Sequence, residues 1–499
     1  MSPSAVTSIS QFLGPLAMDN AAALKLSREF YTNFKYLAAE SLDMFLPTPI
    51  SMSILRPVGQ QSTGRGGSNL RVGFVELLPD GQDRRLNRLL EQSWPIQDHL
   101  KNENSEKLFG WVGEHIAEVV REGCETFGLS PGEELPMGVT FSFPMKQTSL
   151  SEASLMAMGK GFAITSDLDL GGHLFRGYEQ HRTPDLPPIK ITAITNDSVA
   201  TLVSFVYQYP AARNQKAAMG LIVGTGCNAT IPLKLSTLHQ NKCPDLISVQ
   251  QDQDLEDFGI AVNTEWSING SAPPLRTLGL ISRWDEELDK AGEYPGFQPL
   301  EYMTSGRYLG ELARLIFVDF LITVHGVSAN DLPQRLHQRF GLSTTFLSHF
   351  YPDSHKGDPL EQLQKEFDDT AFTWTSTHAD ALYQIAKAIQ ARAAGIVAAA
   401  TIGLLRCAGE IPDPSVTEVN GNVIDGERVI DELVVGYTGG CIQHFQDYLK
   451  DTQGFLDFIT QEEFAAQGKP IRVVLEPCHD GGITGAGILV PAALASTQA

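Results

Sequence analysis

The sequence predicts an α/β protein of more than one domain, and three observations carry that reading. Short apolar runs of β character alternate with longer amphipathic stretches. Several of the apolar runs end on a glycine turn or on a cluster of Asn, Asp and Glu. At 499 residues the chain exceeds one ordinary core, so two or three folding units with a cleft between them are expected. A composition of 42% hydrophobic and 19% charged residues is that of a chain that packs.

From Ala21 to Met44 apolar residues recur at helical spacing (Leu24, Leu26, Phe30, Phe34, Leu37), and Pro47 and Pro49 are expected to stop that helix. The stretch VGQQSTGRGGSN, Val58 to Asn69, is polar and glycine-rich. LRVGFVELL then alternates as a strand, with a turn at Pro79-Asp80-Gly81. Glu106 to Phe127 reads as an amphipathic helix, and MGVTFSFP (Met137 to Pro144) and KITAITN (Lys190 to Asn196) as β runs. MGLIVGTGCNAT (Met219 to Thr230) is a strand, a glycine turn and a second strand; ELVVGYTGG and IRVVLEPCHDGG repeat the strand-to-glycine pattern. Pro352 to Asp368 is a charged surface loop leading into a helix, and the Ala-rich run Ala393 to Leu405 is a buried helix.

A formal net charge of −22 argues against nucleic-acid binding, which needs clustered Lys and Arg, and leaves small molecules or basic proteins as partners. The cysteines Cys124, Cys227, Cys243, Cys407, Cys441 and Cys478 show no CxxC and no paired spacing, so neither a zinc site nor a disulfide framework is signalled. Reduced thiols, no secretory signal and no membrane span fit a cytoplasmic or nuclear protein.

Three strands deliver polar residues at their ends: Asn196-Asp197, Gly224-Thr225-Gly226-Cys227-Asn228, and Asn263-Thr264-Glu265-Trp266. Strand ends facing a crevice are where open α/β sheets bind ligands. Amides and carboxylates there suit a polyhydroxylated small molecule, a hexose above all, whose hydroxyls need donors and acceptors together. Asn196, Asp197, Asn228, Glu265 and Glu301 are the residues expected to hold it. Taken singly, each fits equally well as a helix cap or turn residue.

The ordered series of motifs resembles the eukaryotic hexokinases and glucokinases, collinearly from about Ala21 to Leu494. It comprises MFLPTP, GGSNLRV (Gly66 to Val72), FSFPMKQTS (Phe141 to Ser149), GKGF (Gly159 to Phe162), NDSVATL (Asn196 to Leu202), GLIVGTGCNA (Gly220 to Ala229), NTEW (Asn263 to Trp266) and EYMTSGRYLGELARL (Glu301 to Leu315). The resemblance implies the two-domain actin-like ATPase (ribonuclease H-like) fold with a sugar cleft between a small and a large domain. An N-terminal helix in residues 1–55 would belong to the large domain, 56–197 would form the small domain and 198–480 the large one, with 481–499 returning to the small domain. It implies a hexose pocket of Ser142, Pro144, Lys160, Asn196, Asp197, Asn228, Glu265 and Glu301, with Asp197 as the catalytic base. It places phosphate and ATP contacts at Gly66, Gly67, Ser68, Asn69, Arg71, Gly224, Thr225, Gly226 and Gly439. ATP and Mg2+ are the implied cofactors if the chain is active, and no metal-ligating residue is assigned.

Several positions depart from the family pattern. Where the family reads Asp-Leu-Gly-Gly-Thr-Asn, this chain reads Gly64-Arg65-Gly66-Gly67-Ser68-Asn69, so the acid that helps hold the phosphate-bridging metal is Gly64. Upstream, VGQQSTGR lacks the alternation of a core strand, so either that edge is a loop or the sequence there carries an error. Arg65 reads first as a solvated surface residue and second as a phosphate contact. The Thr before the sugar-binding Lys is Gly159, the adenosine segment reads Gly436-Tyr437-Thr438-Gly439-Gly440, and the later glycine run carries Ile483. Pro491 suggests a terminal helix that is short or begins at the proline. Sugar residues largely kept and metal and adenosine residues lost imply a hexose-binding protein with weak or lost phosphotransfer. In this the chain resembles the divergent hexokinase-like proteins of filamentous fungi that act in carbon-source responses, a role compatible with a regulatory protein partner. The alternative is an active ATP-dependent hexokinase acting on the 6-hydroxyl of glucose or a related hexose.

Overall fold

The computed structural model describes residues 8–52, 61–65, 69–78, 85–97, 100, 105–156, 168–209, 212, 214–249, 259–352, 357–368, 372–412, 423–425, 428–464, 471–495 and 497–498, and for 61–65, 69, 248–249, 423–425, 428–429 and 497–498 the backbone alone. Its strands are β1 (Leu46–Ser51), β2 (Gln61–Arg65), β3 (Asn69–Leu77), β4 (Leu86–Pro95), β5 (Leu135–Thr140), β6 (Met145–Ser149), β7 (Glu152–Leu155), β8 (Leu168–Asp169), β9 (Ile189–Thr195), β10 (Gln215–Val223), β11 (Cys227–Lys234), β12 (Ser248–Val249), β13 (Gly259–Asn263), β14 (Val423–Asp425), β15 (Arg428–Ile430), β16 (Glu432–Thr438), β17 (Arg472–Pro477) and β18 (Thr497–Gln498). The helices that matter here are α1 (Asn20–Glu40), α2 (Ser105–Phe127), α3 (Leu170–His181), α4 (Asp197–Gln208), α5 (Pro299–Thr304), α6 (Gly306–Thr323), α7 (Ser376–Cys407), α8 (Tyr448–Phe464) and α9 (Gly481–Ala495).

Two sheets organise the molecule. Among the described residues the larger runs β17-β16-β10-β11-β13-β1-β12-β18 and the smaller β4-β3-β2-β5-β9, with β6-β7-β8 as a third, minor sheet. One apolar cluster gathers around the larger sheet, and a second draws only on residues between Leu70 and Ile194. A third joins them, bringing Ile50 and Ala261 together with Val75, Ala193, Val199 and Ile483. This is the two-domain α/β architecture expected from the sequence.

The polar stretch before the glycine turn is not a loop, contrary to expectation. Residues 61–65 form β2 in the middle of the smaller sheet, antiparallel to β3 from Gln61↔Glu76 to Arg65↔Val72 and parallel to β5 at Thr63↔Met137. Its flanking strands present unpaired N–H and C=O groups on both sides, and satisfying them outweighs the poor β propensity of Gly64 and the lack of apolar alternation.

The first helix also ends earlier than its periodicity suggests. Asp19 caps α1 by accepting from the Ala22 amide at 2.7 Å, and Leu26, Phe30, Phe34 and Leu37 line its buried face. The Ser41 hydroxyl then accepts from the Asp43 and Met44 amides (3.3 and 3.2 Å), a local turn that competes with another helical turn. Pro47 and Pro49 therefore lie inside β1, whose register against β13 shifts between Pro47 and Ser51, an irregularity that tolerates missing donors.

At the other end of the chain, Pro491 neither starts nor shortens the terminal helix. α9 begins ten residues earlier and runs through the proline, with Ile488, Leu489 and Val490 buried around it. Packing holds the turn that the missing N–H would have closed. Ile483 is helical and packs against β3 beside Gly73, so it fills space in place of the flexible glycine that the family pattern has there. α9 covers β2, β3, β5 and β9 and crosses α4, where the Ser204 and Thr484 hydroxyls meet at 2.7 Å. At the crossing only glycine fits position 485, because a Cβ there would overlap the Ala200 carbonyl.

The Ala-rich run lies within α7. This helix is long and apolar enough to cross a membrane by length and composition, but 89% of its apolar window is covered by the rest of the fold. It is the central helix of the larger core, packed against α1, α6 and α8.

Burial also sets the chemistry of the thiols. It pushes Cys227 and Cys407 up to about 12 and Cys478 up to about 11, while burial brings the half-buried Lys242, held by the Ala38 and Met44 carbonyls, down to about 8. Above pH 9 the unfolded chain loses thiol protons that the folded chain keeps, so this stabilisation is complete below pH 9 and is lost as pH rises through 11–12. Lys242 acts oppositely between about 8 and 10.5, by an amount reduced by solvent screening. Stability is expected to fall above pH 9 by at most about 4 kcal/mol per pH unit from these three thiols, less the Lys242 offset. Urea midpoints from pH 7 to 10 measure it; midpoints that hold steady or rise from 9 to 10 contradict it.

Candidate functional site

The polar residues of the three strand ends meet in one hydrogen-bonded web. Asn196 caps α4 as β9 ends: its Oδ1 accepts from the Ser198 amide and hydroxyl (2.8 and 2.7 Å), and its Nδ2 donates to the Phe143 carbonyl at 3.1 Å. The Ser198 hydroxyl also reaches Thr230 Oγ1 on β11 (2.6 Å) and Asn263 Oδ1 at the end of β13 (3.2 Å). Asn263 Oδ1 accepts from Asn228 Nδ2 at 2.9 Å, and Asn263 Nδ2 donates to Glu265 Oε1 at 2.8 Å. Glu265 is 6% exposed and held at φ 47°, a left-handed conformation unusual for a glutamate.

Glu301, buried in the first turn of α5, accepts from the Cys227 amide at 3.3 Å, next to Asn228. Asn196, Asn228, Glu265 and Glu301 are thus brought together. Asp197 follows Asn196 as the first residue of α4, half-exposed, and among the described residues no hydrogen bond is made to its carboxylate. Ser142 and Pro144 flank Phe143, whose carbonyl takes the Asn196 amide. Lys160 and Gly159 lie outside the described residues. The cap reading of Asn196 holds, and its oxygen and one amide proton are spent inside the protein.

The expected phosphate side gathers at neighbouring strand ends. Gly224 N donates to Gly226 O at 2.9 Å in the β10–β11 turn, and Gly306 N and Arg307 N donate to Gly224 O and Thr225 O (2.7 and 3.3 Å). Gly439, past β16, sits against Gly224 at φ 118°, and a Cβ there would overlap the Val223 carbonyl. Glycine is required at this position by conformation and by space. Thr225 is exposed, so the turn offers a hydroxyl to solvent. Gly66, Gly67, Ser68 and the Arg65 side chain lie outside the described residues, and Asn69 is placed by its backbone alone, as the first residue of β3. Arg71 is not free to meet phosphate as it stands: its Nη1 lies 3.3 Å from Asp480 Oδ1, while Arg88 Nη1 takes Asp480 Oδ2 at 2.9 Å. Among the described residues no three His, Cys, Asp or Glu converge as a metal cage.

Sequence reasoning overlooked four contributors. Asn263 opens the Asn-Thr-Glu-Trp motif and was read as a strand end; Ser198 lies inside the NDSVATL motif and was given no role of its own. Gln298, 5% exposed, lies one turn before Glu301, and its Oε1 accepts from the Tyr308 hydroxyl at 3.5 Å. Burial pushes that hydroxyl up to about 12, so it stays a donor. The signal available was spacing, three residues ahead of an expected ligand on one helical face. Arg88, on an exposed strand, gave none.

An α/β pair of sheets meeting at a polar cleft, with glycine turns at adjoining strand ends, places the chain among the two-domain proteins of the actin-like ATPase fold. Hexokinase family models match residues 8–207 and 218–492, and the chain belongs to the hexokinase family. It is 27% identical over 432 residues to Hexokinase-1 of Nicotiana tabacum, covering 85% of this chain and 77% of that one. It is 31% identical over 334 residues to Hexokinase-3 of Mus musculus, covering 67% of this chain and 32% of the mouse protein. A solved hexokinase from Schistosoma mansoni complexed with glucose shares the fold, with a TM-score of 0.75, 22% identity and coverage of 97% and 98% of the two chains.

Proposed function

We propose that this chain binds a hexose in the cleft and transfers phosphate slowly or not at all, serving as a regulatory hexokinase-like protein in carbon-source response. One contrast carries the reading: the web from Asn196 to Glu265 is complete, whereas glycine stands at position 64, where the family pattern has a metal-holding acid. Without that carboxylate the phosphate charge that develops in transfer is poorly neutralised. Binding of hexose would itself be the signal, read by a protein partner in the cytoplasm or nucleus through closure of the cleft.

The second reading is an active ATP- and Mg2+-dependent hexokinase acting at the 6-hydroxyl. It is favoured by β2, which lies in the middle of the smaller sheet, and by Asp197, the half-exposed first residue of α4, whose carboxylate would accept the proton of an attacking hydroxyl. Calorimetric titration with glucose, fructose and glucosamine tests binding; no binding at millimolar sugar removes both readings. A coupled assay with Mg·ATP separates them. Expected is hexose binding with turnover at least about 100-fold below the usual enzyme range of 1–1,000 per second, and little further loss in Asp197→Ala. Ordinary turnover that Asp197→Ala abolishes would establish the active enzyme instead.

A further inference from the structure

We infer that Asn263 is a positioning residue of the sugar pocket, an amide that holds one oxygen of the Glu265 carboxylate and ties it to Asn228 and α4. The inference rests on the hexose-binding reading and adds a residue to it.

The side chain of Asn263 is 2% exposed and makes two contacts to Glu265. Its Nδ2 donates to Glu265 Oε1 at 2.8 Å, and its Oδ1 accepts from the Glu265 amide at 3.4 Å. Together they close a turn around a residue at φ 47°, a backbone state that persists only when its surroundings enforce it. The turn is clamped further by the Thr264 amide and hydroxyl, which both donate to Ala229 O (3.0 and 2.9 Å), and by the Phe45 amide on Thr264 O at 3.0 Å.

The same Asn263 oxygen takes Asn228 Nδ2 and the Ser198 hydroxyl, so β11, β13 and α4 converge on one atom. A carboxylate can rotate freely about its last bond. The Asn263 donor on Oε1 restricts that rotation in Glu265, as discrimination among sugar hydroxyls requires. Asn263 itself touches no ligand in this scheme.

Asn263→Asp removes one donor and keeps the acceptor, so it isolates the contact. The introduced carboxylate would face Glu265 at hydrogen-bond distance, and two such groups hold together only by sharing a proton. Calorimetry with glucose is therefore run on wild type and variant at about pH 8 and about pH 5.5, on either side of the raised pKa expected for such a pair. Asp197 and Glu301, the other carboxylates of the cleft, are the same in both proteins and cancel in the comparison. Expected is a variant about 10- to 100-fold weaker than wild type at the higher pH that regains most of its affinity at the lower one.

A wild type that binds no glucose overturns both the hexose reading and this one. A wild type that binds, beside a folded variant of equal affinity, overturns this inference alone; so does a variant weak at both pH values with an unchanged melting curve. Should Asn263→Asp fail to fold, Ser198→Ala, which removes the α4 hydroxyl from Asn263 together with its contacts to Asn196 and Thr230, is expected to bind about three- to tenfold more weakly, and unchanged affinity there overturns the inference.

Discussion

Gly64→Asp is expected to raise the phosphotransfer rate of this chain by about two to three orders of magnitude in the presence of Mg2+ and ATP, with hexose affinity unchanged. Gly64 lies in β2 opposite Gly73, one residue before the end of the strand that leads into the first glycine turn. The strand is formed, so the backbone at that position is held by pairing with β3. An Asp at position 64 would help hold a metal ion, whose charge would offset that of the transferred phosphate. The coupled assay that measures it also separates the two functional readings. A rise with unchanged glucose affinity shows that the missing acid limits transfer, whereas no change, with the variant folded, sinks the idea.

The larger domain should be most sensitive at Arg392 and Asp285. Arg392 is fully buried in α7 and grips Asp285 with both terminal nitrogens at 2.7 and 2.8 Å; Asp285 in turn accepts from the Ser282 amide and hydroxyl at the start of the helix Arg283–Lys290. Asp285→Asn leaves a guanidinium buried without its counter-charge and is expected to cost about 3–5 kcal/mol. Replacing both partners by apolar residues of similar volume should cost much less, because the penalty is the unpaired charge more than the lost bond. Urea unfolding of the two variants measures the difference, and equal destabilisation would contradict the argument.

The elements that carry the site were legible because their signals are local. KITAITN followed by Asp-Ser announces a strand and a capped helix, and β9 and α4 follow it within a residue. The glycine turn between β10 and β11 was equally plain. What escaped is set by distant partners. β2 is a strand because β3 and β5 flank it, and α9 survives Pro491 because it packs onto a sheet made three hundred residues earlier. Asn263 matters through atoms on α4 and β11, sixty-five and thirty-five positions away. The Ser41 turn that ends α1 was local yet weak beside the prolines, which drew the attention and turned out to lie in a strand.

The position of α9 has a consequence for how the chain is made. The smaller sheet is fully synthesised once β9 leaves the ribosome, but the helix that covers it is translated roughly 285 residues later. At roughly 5–20 residues per second, one face of that sheet stays uncovered for about 15 to 60 s. Val75 and Ala193, whose final neighbours include Ile483, therefore wait in the nascent chain as exposed apolar surface. Emergence of α9, rather than completion of the first domain's own sequence, is the event that closes its core, and chaperone occupancy of the nascent chain should persist until then.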